Sequence, residues 1–294
     1  MLELAIPTLS QGLLWSILAI GVYITFRVLD IADLTVEGSF PLGAATAAKL
    51  LTEGYDPITS VFVACLAGMA AGIVTGILTT KLKIPALLAG ILTMIALYSV
   101  NLRIMGKANL SLLRMDTIFT LAGFISDDPQ NVALFVGIVS TAVLALLCYW
   151  FFGTEIGSAI RATGANPRMI RANGINTDNT IILGLLISNG LVSISGALIG
   201  QANGFADVGM GVGTIVIGLA SVIIGEVLFG TRTFWRCLLS VVLGSIVYRV
   251  VIAIVLALGM PPNDLKLFTA ILVALALSMP LIQAKFKAMR KAGE

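Results

Sequence analysis

The sequence predicts an all-α bundle crossing the membrane many times, on three observations. Of 294 residues, 58% are hydrophobic and 11% charged, against about 25% charged in soluble domains. Mean hydropathy is +1.04. Apolar runs of bilayer-crossing length recur along the chain, and each is long enough to satisfy its own backbone as a helix in hydrocarbon. One domain over 1–294 is expected, with eight or nine transmembrane segments and a short polar helix between two of them.

The runs fall at 8–26, 57–80, 84–102, 131–152, 180–200, 211–230, 235–259 and 267–283, with a shorter, interrupted segment at 36–52. The start, MLELAIPTLSQG, has no basic flank and no small-residue cleavage pattern, so the first run is read as a retained span. After it comes Arg27, then Asp30, Asp33 and Glu37, then Pro41 and Gly43. Three carboxylates and a proline make a poor lipid-facing helix. Two readings stand: a cytoplasmic turn with its acids near a helix N-terminus, or a broken helix lining a path. Gly68, Gly72 and Gly76 form a small-residue seam for close helix packing, and Pro85 begins the next span. Residues 103–130 make a long outer loop. The span from Thr180 carries Asn189, Ser193, Gly196, Gly200 and Asn203 on one face, suited to packing or to a wetted path. GFADVGMGVG then turns the chain. Glu226 lies near the inner end of its span and Arg249 near the middle of the next, so a direct pair is not expected. The basic end QAKFKAMRKAGE reads as a membrane-surface anchor.

Arg161 to Ile175, RATGANPRMIRANGI, is the most basic short stretch. Asn166 suits an N-cap, Pro167 the first helical position and Gly174 a left-handed stop. The helix between them is roughly 10 Å long at 1.5 Å per residue, too short to cross. With this loop placed inside, Arg27, Lys81, Lys83, Arg161, Arg168, Arg171, Arg232, Arg236 and the basic tail share its side. Lys49, Arg103, Lys107, Arg114 and Lys266 lie opposite. The bias sets tail and central loop in the cytoplasm; nine segments put the N-terminus outside, and an extra hairpin near residues 27–52 would reverse that end without moving the rest.

Several chemistries are excluded. No histidine is present, which removes Ser-His-Asp triads, HExxH zinc sites and histidine relays. Cys65, Cys148 and Cys237 lack metal or pairing spacing. No GxxxxGK[ST] occurs, so the chain holds no phosphate loop of that type. No cofactor, metal, nucleic acid or catalytic constellation is expected, and the chain is not read as an enzyme.

Three stretches carry a resemblance. Asp33-Leu34-Thr35-Val36 with Gly38-Ser39 resembles a DLSxG-type segment, here with Glu37 as an extra residue. Arg161-Ala162-Thr163-Gly164, Asn166 and Gly174-Ile175 resemble a segment of the form RAxGxN…GI. Gly218 to Gly225 resembles AIAAVVLGG, with Glu226 where a small residue is usual. Together they resemble, over about residues 10–285, the permease subunits of ATP-binding-cassette importers of the branched-chain amino acid and monosaccharide permease superfamily. The resemblance implies a bacterial cytoplasmic-membrane importer of a small polar solute, such as an amino acid. It also implies a separate ATPase, a second permease subunit in a homodimer, and an extracytoplasmic solute-binding protein. The ATPase-coupling residues would be Arg161, Gly164, Asn166, Pro167, Arg168, Met169, Ile170, Arg171 and Gly174. Met169 and Ile170 would enter a groove on the ATPase, and Arg168 and Arg171 would meet its acidic rim. Asp33, Thr35, Glu37, Asn189, Ser193 and Arg249 are the substrate-path candidates. The alternative is an ion-coupled secondary transporter or channel needing no ATPase. Against it, one interrupted segment is visible early and no mate late.

Overall fold

The computed structural model describes residues 2–124, 126, 128–259, 267–271, 274, 275 and 278. Helix α1 spans Leu2–Tyr23 and runs on through a π-helical turn at Ile24–Val28. There follow α2 (Val36–Thr52), α3 (Pro57–Thr80), α4 (Ala86–Met105), β1 (Asn109–Ser111), α5 (Ile118–Leu121), α6 (Pro129–Gly153), α7 (Glu155–Ala165), α8 (Pro167–Ala172), α9 (Thr177–Asn203), β2 (Phe205–Asp207), α10 (Thr214–Phe229) and α11 (Phe234–Ala257). Among the described residues, seven segments are long and apolar enough to cross a membrane. The shorter α2, with 17 residues, matches the interrupted segment at 36–52. The expected eight or nine spans are therefore close. The span expected at 267–283 and the basic tail lie largely or wholly outside the described residues.

Local chemistry explains the helix starts. Asp56 accepts from the amides of Ile58 (3.1 Å) and Thr59 (3.2 Å), with Pro57 at the first position of α3. Asp128 and Pro129 repeat the device at α6. A cap satisfies backbone donors that a helix start leaves free.

Helices α1 and α9 form the centre, and α3, α4 and α6 make much of the rim. Leu14, Ile17, Leu18, Leu185, Val192 and Ile199 are buried in one cluster, whereas α3, α4 and α6 expose Phe62, Leu92, Ile95, Leu146 and Trp150. The glycine seam seats α3 on α9. A Cβ at Gly72 would fall on the Leu185 carbonyl, and one at Gly68 on Ser193 and the Asn189 carbonyl. Gly72→Ala is expected to push these backbones apart and to cost about 1–3 kcal/mol. A melting curve in detergent showing no loss would contradict this packing.

Two elements differ from expectation. A short antiparallel ribbon pairs Asn109 with Asp207 and Ser111 with Phe205, tying the long outer loop to the turn after α9. Three-residue strands far apart in sequence leave no period-2 pattern to read. The short polar helix expected from the Asn166 cap is present as α8, and a second helix that was not expected, α7, precedes it; Asn166, at φ −156° and ψ 91°, separates the two.

Candidate functional site

One end of the bundle gathers the residues assigned to the cytoplasm. The Thr154 hydroxyl accepts from the Gly157 amide (3.3 Å) and starts α7. Ile160 is fully buried, and the Thr163 hydroxyl meets that of Thr180 at 2.9 Å. A Cβ at Gly164 would strike the Val28 carbonyl. Gly164 is thus a close contact of α7 with the inner end of α1. The Arg161 guanidinium lies over the Phe234 ring, 4.9 Å from its centroid. Arg27, Arg161 and Arg232 line one cavity of about 490 Å3 with Tyr23, Asp30 and Phe234. Arg27 also pairs with Glu226. Cations from three separated loops therefore share one end, as the charge bias requires.

Helix α8 has both ends marked. The Asn166 side chain accepts from the Met169 amide at 3.1 Å, and Pro167 opens the helix. Gly174 sits at φ 82° with open space around it, so its requirement is conformational. Ile170 is 5% exposed and Met169 51%. Ile170 therefore anchors α8 to the chain's own bundle and does not point outward. Two turns are too few for periodicity to show which apolar residue turns in. Arg168 is exposed and has no ion pair among the described residues. Arg171 donates to the Thr177 hydroxyl and reaches Asp178 at 3.4 Å. Lys81 (3.5 Å) and Lys83 (3.8 Å) converge on the same carboxylate. Sequence reasoning passed over Asp178. Its position in the first turn of α9, beside the capping Asn176, was the available signal.

The second region lies inside the membrane. After the π-helical turn, Asp30 takes φ 55° and the chain leaves helix until Thr35. The Asp33 carboxylate accepts from the Thr35 amide at 2.9 Å and the Asn189 side-chain amide at 2.8 Å. Ser39 donates to the Asn189 oxygen at 2.7 Å. Thr35, Thr75 and Thr93 hydroxyls form a chain at 2.7 and 2.9 Å. Ser193 donates to the Ala64 carbonyl at 2.6 Å. Asp33, Thr35, Asn189 and Ser193 are all buried within the chain. They pin the broken segment between α3, α4 and α9, and none is a free wall of an open path in this conformation. Asn189 is twelve residues into α9, about 18 Å along it at 1.5 Å per residue, so the knot sits near mid-bilayer.

A second break meets the first. Residues 208–211 form a 3-10 turn, Gly213 takes φ 87°, and α10 starts there. The half-buried Glu37 accepts from the Gly213 amide at 3.0 Å, and a Cβ at Gly211 would hit the Glu37 carbonyl. A carboxylate thus caps the positive end of α10 deep in the bundle. This Gly-rich stretch is a second interrupted segment, which the sequence did not mark as one. A glycine-rich turn looks alike at the surface and at mid-depth. Arg249 stands apart from Glu226, as expected. Its guanidinium lies 4.3 Å from the Trp15 ring centroid, and Trp15 packs on Phe40 at 5.2 Å.

Comparisons with known proteins agree with this geometry. The family model described as branched-chain amino acid transport system / permease component matches residues 4–277. The chain is 44% identical over 268 residues to the tyrosine transport system permease protein of Clostridioides difficile (strain R20291), covering 91% of this chain and 88% of that one. It is 27% identical over 262 residues to the autoinducer 2 import system permease protein LsrC of Yersinia pseudotuberculosis (serotype O:3, strain YPIII), covering 86% and 70%. Among solved structures, an inward-facing putative metal-chelate type ABC transporter superposes with a TM-score of 0.52 at 13% identity, covering 95% of this chain and 84% of that one. That likeness is one of fold.

Proposed function

The chain belongs to the permease family of branched-chain amino acid transport systems, and on that premise we propose that it moves an amino acid or a related small polar solute inward, driven by a separate ATPase. The carrying observation is α8. It is capped at both ends and seated by Ile170, and it presents Arg168 and Met169 away from the bundle. An ATPase groove would take Met169, with an acidic rim against Arg168. Arg161, Gly164, Asn166, Pro167, Ile170, Arg171 and Gly174 hold the lever in place. Movement of the ATPase pair would tilt the bundle by rigid-body steps. The assembly would hold two copies of this single permease domain and an extracytoplasmic solute-binding protein. The 44% identity to a tyrosine permease supports an amino acid substrate, aromatic ones first.

The ion-coupled alternative gains one feature, the pair of broken segments meeting at Glu37. The family match weighs against it. Proteoliposomes containing the permease and its genetically neighbouring ATPase, supplied with the neighbouring binding protein, decide the matter. Uptake of labelled tyrosine or another amino acid is expected only with hydrolysable nucleotide. Uptake driven by an ion gradient without the ATPase would overturn the proposal.

A further inference from the structure

Arg249 is a cation near the middle of a span with no counter-charge among the described residues. Its Nε is buried and has no hydrogen-bond partner, and among the described residues no carboxylate pairs with it. Each acid described within the bundle is engaged elsewhere: Asp33 by Thr35 and Asn189, Glu37 by Gly213, Glu226 by Arg27. An arginine at this depth is costly to insert and persists only where something compensates its charge. The Trp15 face offsets part of that cost through a cation–π contact but leaves the Nε donor unused. A guanidinium offers a planar fork of donors that fits a carboxylate. Between the same two helices, further toward the outer end, lies an apolar groove of about 320 Å3, lined by Thr8, Leu9, Val250, Ala253 and Ile254.

We propose that Arg249, resting on Trp15, is the intramembrane subsite for the carboxylate of the transported solute, with the solute's apolar or aromatic body in the groove between α1 and α11. The inference rests on the permease reading and adds the solute's chemical class, a monocarboxylate with an apolar body. The ligand brings the counter-charge that the described residues of the bundle lack. A solute held by one ion pair and one apolar contact binds well enough to enter and weakly enough to leave.

Trp15 is the reporter. With Trp150→Phe and Trp235→Phe it is the one remaining tryptophan. The purified permease in nanodiscs is titrated with phenylalanine, phenylpropionate and phenethylamine while Trp15 emission is followed. Both carboxylates are expected to shift the emission and the amine is not. Arg249→Gln is expected to weaken the carboxylate response about tenfold or more. Equal response to phenethylamine, an undiminished response in Arg249→Gln, or no response to either carboxylate would overturn the proposal. Arg249→Met is expected to melt no lower than its parent and to keep its oligomeric state. A lower melting point or dissociation would make Arg249 a structural contact and would also overturn it. ATPase binding and nucleotide-driven uptake are scored separately in the parent protein. Trp15 can thus answer to carboxylates where uptake needs no ATPase, and the reverse, so the two ideas fail independently.

Discussion

Arg168→Glu together with Met169→Asp is expected to abolish nucleotide-driven uptake while the permease stays in the membrane at its normal level and melting temperature. Both side chains point away from the bundle, and among the described residues Arg168 has no ion pair to lose. Exposed substitutions away from caps and cores change stability by about 0.5 kcal/mol or less. Buried charge at a docking contact costs far more, because a carboxylate entering an acidic rim is both desolvated and repelled. ATPase co-purification and uptake report the loss, and the melting curve reports that the fold survives. Arg171→Glu is the informative contrast. It places a second acid beside Asp178 and removes the bond to Thr177, so it should lower the melting point as well as uptake. Full uptake by the Arg168–Met169 variant would remove α8 from the coupling path.

Asp33→Ala is expected to be the most damaging single change in the membrane interior. It strips the Thr35 amide and the Asn189 side chain of their shared acceptor in a site closed to water. Leaving buried donors unpaired costs about 1–3 kcal/mol each, and here two lose their partner at once. Asp33→Asn keeps the size and one acceptor, so it should retain more of the fold. Lost expression with Asp33→Ala and partial rescue with Asp33→Asn is the expected pattern in membrane yield and melting temperature. Equal stability of both variants with the parent would mean that the broken segment is held by α2 packing alone.

Much of this architecture is legible in the chain because hydrocarbon imposes one requirement repeatedly. Runs such as 57–80, with no charge, and 235–259, with Arg236 and Arg249 alone, are bounded by Pro, Gly or polar residues, and the helices begin and end within a few residues of them. The seam at Gly68, Gly72 and Gly76 was readable for the same reason, since small residues at four-residue spacing have one steric use. Pairings across long sequence separations were not readable. Nothing local joins Asp33 to Asn189, Glu37 to Gly213 or Lys81 to Asp178. The inward turn of Ile170 and the separate existence of α7 escaped because short polar helices carry too few turns to show a face. The Asn166 cap, the Gly174 stop and the isolation of Arg249 from Glu226 depended only on residue type and position along a helix, and they stood.

The meeting of Lys81, Lys83 and Arg171 at Asp178 has a mechanical consequence. One acid fastens the end of α8 to the α3–α4 turn and to the foot of α9. On the coupling role proposed above, a push at α8 would pass through this acid to the close-packed α3–α9 pair, and α9 carries it to the buried knot at Asn189.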